Sequence, residues 1–129
     1  MTTLTNKPTL GDLLKYELNA NYNREVVTLK AGTNYALGSV LGKVTASSKY
    51  RLSPAAAVAG DEGAEAAVAV LTEPVDASAA DKTAVVLSRG PAIVSKVALV
   101  FDASVDQAAE KLAKHVQLAS AGIVARDAA

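Results

Sequence analysis

The chain has 129 residues, half of them apolar, but 27 are alanine and only Phe101 and four tyrosines are aromatic, so any core is built from small aliphatic side chains. The length fits one compact domain, and the content of Leu, Ile and Val is high enough to bury a core, which excludes wholesale disorder and makes a two-domain enzyme a poor fit. Thirteen basic residues balance thirteen acidic ones, which argues against a nucleic-acid or anionic membrane partner, and the absence of cysteine excludes a disulfide frame, a thiolate nucleophile and any Cys-based metal site.

The polar start, Met1 to Lys7, does not support a secretory signal, and no apolar run approaches the roughly 20 residues of a membrane span. Residues 1–23 read as an arm. Leu10, Leu13, Leu14 and Leu18 form a short helical stripe, but Pro8, Gly11 and the run of Asn19, Asn21 and Asn23 break it, so a docked extended segment fits equally well. From Arg24 the pattern changes to short strands separated by Gly, Ser, Asp and Pro, the signature of an antiparallel β domain. In Arg24 to Lys30, Val27 and Leu29 share one face and Val26 lies opposite, as in a half-buried strand that ends at the Ala31-Gly32 turn. Leu37 to Val44 is a second strand in which Gly38 and Gly42 imply a bulge or a close backbone approach, and Lys49 to Leu52 is its hairpin partner. Pro54 to Glu65 reads as a solvated loop rich in Ala, Gly and acids. Ala66 to Leu71 is apolar on both faces and so predicts a central strand.

Glu73-Pro74 stops that strand. Thr83 to Arg89 is another, ended by Gly90-Pro91, and Ile93 to Phe101 follows with Ile93, Val97, Leu99 and Phe101 on one side and an interruption at Ser95-Lys96. A helix is predicted over about 105–120, capped by Ser104 with Gln107 three residues on. Its apolar stripe consists of Ala108, Ala109, Leu112, Val116 and Ala119, and Gly122 ends it. Ile123 to Arg126 is a final short strand or tail. The expected fold is thus mainly β with one C-terminal helix, a compact sandwich-like or barrel-like body over 24–129 behind an extended N-terminal arm over 1–23.

The residues offer little to chemistry. His115 is the single histidine and has no partner motif. Asp61, Glu62 and Glu65 lack the alternate-residue ligand series of a cation loop, and Asp102 and Asp106 suit the start of a helix. Gly38 to Gly42 lacks the Lys-Ser/Thr pair of a phosphate loop. Asp81-Lys82-Thr83 faintly resembles the modified lysine of lipoyl or biotinyl carrier domains, without their paired glycines or internal two-fold similarity. The residues therefore predict no enzyme, no cofactor and no metal.

Five runs taken together are more informative: Leu10 to Glu17 (LGDLLKYE), Asn21 to Leu29 (NYNREVVTL), Leu37 to Val44 (LGSVLGKV), Val85 to Pro91 (VVLSRGP) and Gly122 to Arg126 (GIVAR). In order and spacing this series resembles the lambda-type head decoration proteins of tailed bacteriophages. The resemblance implies a structural virion protein that sits as a homotrimer on the outer surface of the expanded head, at three-fold and quasi-three-fold positions. It would bind the major capsid protein and hold the shell against the pressure of packaged DNA, with an arm that becomes ordered by pairing with capsid strands. Leu10, Leu13, Leu14, Tyr16 and Tyr22 are the expected arm anchors, with Arg24 as a charge-assisted donor at the arm's base. A minor virion component, such as a head-completion or fibre-associated module, is the alternative, and a cytosolic carrier domain a more distant one.

Overall fold

The computed structural model describes residues 10–127. From Leu10, a single helical turn, α1 (Leu10–Leu13), leads into strand β1 (Leu14–Glu17), and a second turn, α2 (Ala20–Asn23), leads into β2 (Arg24–Leu29). Then follow β3 (Asn34–Tyr35), β4 (Val40–Lys43), β5 (Tyr50–Leu52), β6 (Ala67–Leu71), β7 (Val75–Asp76), β8 (Lys82–Leu87) and β9 (Ala92–Ser95). A 3₁₀ turn over Lys96–Ala98, the helix α3 (Ala108–Ser120) and β10 (Ile123–Arg126) complete the chain.

Five strands close a barrel in the order β2-β5-β4-β6-β8, with β2 and β5 parallel and the other pairs antiparallel. Beside it lies a three-stranded sheet, β1-β9-β10, in which β1 runs antiparallel and β10 parallel to the central β9. β3 and β7 form a separate two-stranded ribbon.

The core divides along the same lines. Val27, Leu29, Tyr35, Leu41, Tyr50, Ala69, Leu71 and Val86 form one cluster with the barrel strands, whereas Leu13, Val40, Val70, Leu87, Val94, Leu118 and Ile123 form a second that joins β1-β9-β10 and α3 to the barrel. β6 contributes to both clusters, which is why its sequence is apolar throughout. β2 alternates as its period requires, with Val27 and Leu29 buried and Val26 exposed. The β4 ladder to β6 shifts register between Leu41 and Gly42, and a Cβ on Gly42 would collide with the buried backbone of Ala64. At Gly38, φ is +88° and a side chain would meet the carbonyl of Ala98.

Four expectations change. Residues 10–23 are packed onto the body: Leu13 is 1% exposed, and β1 is held by hydrogen-bonded pairing with a strand almost eighty residues further on. The first nine residues of the expected arm lie outside the described residues. After β9 the chain turns at Lys96, so Val97 points to solvent instead of sharing a face with Leu99. The helix starts three residues later than its sequence signal: Gln107 is the cap and Glu110 completes the capping box, while the Ser104 hydroxyl donates to Asp102 and accepts from the amide of Ala55. Helix α3 is also rotated. Its buried positions are Lys114 and Leu118, and the expected core residues Leu112 and Val116 are about 60% exposed (61% and 60%).

Candidate capsid-binding surface

The six residues expected to anchor an arm separate into two groups. Leu13 is buried, and Leu10 and Leu14 pack against the same cluster, so these three side chains hold α1 and β1 to the body and are not offered outward. Tyr16 and Tyr22 are 47% and 54% exposed and are available for contact. Arg24 is occupied: its Nε and one terminal nitrogen both bond the carboxylate of Glu17, a two-pronged pair that ties β2 to β1.

Asn23 explains why this segment is fixed. It is completely buried and its side-chain oxygen accepts from the amide of Asn19 at 2.8 Å. Its amide group donates to the carbonyls of Arg89 and Pro91, and its own carbonyl accepts from the amides of Ser88 and Arg89. One short side chain therefore satisfies backbone groups on both sides of the Gly90-Pro91 turn. Arg89 then reaches back over the turn: its guanidinium lies 5.5 Å from the centre of the Tyr22 ring and donates to the Tyr22 carbonyl at 2.7 Å. The tyrosine is presented on a supported turn.

The loop over 54–65, expected to be solvated, is pinned from several directions. Asp61 is buried and is paired with both Lys30 and Arg51, and these contacts hold its carboxyl below the usual range. Arg51 also reaches Asp102. From below, Lys114 is 2% exposed, and its ammonium donates to the Ser53 hydroxyl and to the carbonyls of Pro54 and Glu65 at 2.6–2.9 Å. All three of its protons are used on neutral oxygens, and burial pushes its pKa down. Gln117 supports the same region, accepting from the amide of Ala67 at 2.8 Å. The structural roles of Asp61 and Lys114 have no local signal in the sequence, because their partners come from other elements.

The remaining candidates do not converge on a catalytic or metal-binding arrangement. His115 lies against Phe101 with ring centroids 5.9 Å apart, its Nε2 is buried without a partner, and burial lowers its pKa. Among the described residues no three His, Asp or Glu side chains gather to hold a metal, and no helix is long and apolar enough to cross a membrane. Lys82 is the first residue of β8, paired opposite Leu29, and does not sit at the tip of a hairpin.

What the surface does carry is apolar: Tyr16, Leu18, Tyr22, Val26, Val97, Leu112, Val116 and Val124 are all exposed. Scattered apolar residues are ordinary, but several on neighbouring strands or one helix face mark contact surfaces. No curated protein matches the chain. The family model described as bacteriophage lambda head decoration protein D matches residues 3–123, nearly the whole sequence. The chain thus belongs to the bacteriophage lambda head decoration protein D family and is a structural protein of the phage capsid.

Proposed function

We propose that this protein binds the outer surface of the expanded phage head as a homotrimer at three-fold and quasi-three-fold positions, contacts the major capsid protein there, and stabilises the shell against the pressure of packaged DNA. The observation that carries this reading is the family match over residues 3–123. The role is structural and not enzymatic: the family is one of capsid decoration, and a β-rich body with exposed apolar residues suits binding by surface complementarity.

The anchoring segment is narrower than the 23 residues the sequence suggests. Leu10, Leu13 and Leu14 keep the base of the arm on the body, Arg24 braces β1 through Glu17, and Tyr16 and Tyr22 are the outward contacts. The segment before Leu10 is the further contact, since a chain laid along a sheet edge can add main-chain hydrogen bonds to it. Three arms acting together multiply modest individual contacts through effective concentration.

The test is co-sedimentation with expanded, undecorated heads of the phage that encodes the protein. Saturation at about one trimer per three-fold and quasi-three-fold site, with greater resistance of DNA-filled heads to rupture, is expected. Saturation at only a few copies per head would move the assignment to a minor virion component. A protein lacking residues 1–9 is expected to keep its fold and bind less well.

A further inference from the structure

The sheet β1-β9-β10 has two faces of opposite use. Leu14, Ala92, Val94, Ile123 and Ala125 point inward to the core cluster. On β9 and β10 the residues between them point outward by alternation, and on β1 the register shift after Leu14 sets Tyr16 opposite Ile93, so three residues stand side by side: Tyr16 pairs with Ile93, and Ile93 pairs with Val124. Tyr16 and Val124 are 47% and 39% exposed, and Ile93 lies half-buried between them. A continuous apolar row thus crosses all three strands on a solvent-facing surface, with no charge within it. The exposed charges on the two edge strands are basic, Lys15 on β1 and Arg126 on β10, while the acid Glu17 is paired with Arg24.

We propose that this row is the face of the body that docks on the shell, seating an uncharged apolar segment of the major capsid protein with acidic residues at its margins. The inference rests on the capsid-binding reading above and names the surface that serves it.

Three observations select this face. First, the described chain starts at α1, which leads directly into β1, so the segment before Leu10 is attached beside this sheet. Secondly, β1 and β10 are both edge strands, so the docked segment can also take up main-chain hydrogen bonds at either side. Thirdly, the row holds one tyrosine flanked by aliphatic residues, the kind of aromatic anchor that dominates interface energetics. The other apolar stripe, Leu112 and Val116 on α3, stands on a different element and has no such continuity with the arm.

The experiment uses the full chain and undecorated expanded heads. Tyr16→Glu and Val124→Glu are each expected to weaken binding at least tenfold, with melting temperatures within a few degrees of the parent. Leu112→Glu and Val116→Glu serve as controls and are expected to bind like the parent. Parent-like binding by both row variants, or an equal loss in the helix controls, would overturn the assignment while the decoration role stood. Failure of the parent itself to bind heads would overturn the role and the surface together. To guard against misfolded variants, a photoreactive benzoyl-phenylalanine in place of Val124 is expected to cross-link to the major capsid protein. Cross-linking to a second copy of this chain would make the row a subunit interface and refute the proposal.

Discussion

Leu13 decides whether the body begins at residue 10 or at residue 24. Its side chain is 1% exposed and packs in the cluster that also holds Val40, Val94, Leu118 and Ile123. Replacing it with alanine removes the γ carbon and both δ methyls from a well-packed site and leaves a cavity, which costs about 3 kcal/mol within the usual range for such changes. For a domain of this size that loss lowers the melting temperature by roughly 10 °C. Leu112→Ala is the matched comparison: the same chemistry at a 61% exposed helix position, where the change is within about 0.5 kcal/mol. Both variants are measured by circular dichroism during heating and by denaturant titration, at one protomer concentration because oligomerisation shifts the apparent stability. A Leu13→Ala variant that melts within about 2 °C of the parent would show that residues 10–13 are no part of the folded core. A larger loss in Leu112→Ala than in Leu13→Ala would show the same.

Further outcomes follow from the buried polar groups. His115 binds a proton less readily when folded than when unfolded, because burial and then Lys96 disfavour the charged ring, so stability falls as pH drops through about 6.5. His115→Gln is expected to flatten the denaturation midpoint between pH 7 and 5, and an unchanged slope would rule out this histidine as the cause. Lys114→Met leaves the carbonyls of Pro54 and Glu65 without their donor and is expected to lose about 1–3 kcal/mol in denaturant titration at neutral pH, partly offset by removing a desolvated ammonium. Because the folded pKa of Lys114 lies below that of the unfolded chain, the parent gains stability as pH rises toward about 10.5, and the variant is expected to lack that gain. Gln117→Leu makes α3 more apolar yet removes the acceptor of the Ala67 amide, so a melting temperature several degrees lower is expected, consistent with a loss of about 1–2 kcal/mol.

The strands of the barrel were legible because their signals are local. Val27 and Leu29 alternate with Val26 and Thr28, β6 is apolar on both faces because both core clusters use it, and Gly42 sits where Ala64 leaves no room for a side chain. Gly90-Pro91 stopped β8 for the reason proline always does. In the sheet β1-β9-β10, the strands β9 and β10 fall on the segments read from Ile93 and from Ile123, but β1 and the pairing of the three were not legible in the same way. Each of its strands is four residues long, and the partner of each lies far away in sequence, β9 for β1 and, across the whole of α3, β9 again for β10. Four residues are too few to show a period, and long-range pairing has no local signal. The candidate binding row inherits that difficulty, since Tyr16, Ile93 and Val124 become neighbours only through register.

Helix α3 shows the opposite case, a clear local signal that points to the wrong face. Counting apolar residues selects Ala108, Ala109, Leu112, Val116 and Ala119, whereas the fold turns Lys114, Gln117 and Leu118 toward the body. The physical reason is what lies beneath. Ser53, Pro54, Glu65 and Ala67 present backbone and hydroxyl groups that need partners, and one lysine and one glutamine from α3 satisfy four of them. Leaving those groups buried and unpaired would cost more than leaving Leu112 and Val116 in water, because each lost partner costs about 1–3 kcal/mol, comparable to the burial of a whole aliphatic side chain. Hydrophobic periodicity assumes that the surface opposite a helix is apolar. Where that surface is a loop and the start of an edge of backbone, the face with the long polar side chains goes inward, and the apolar stripe is left outside.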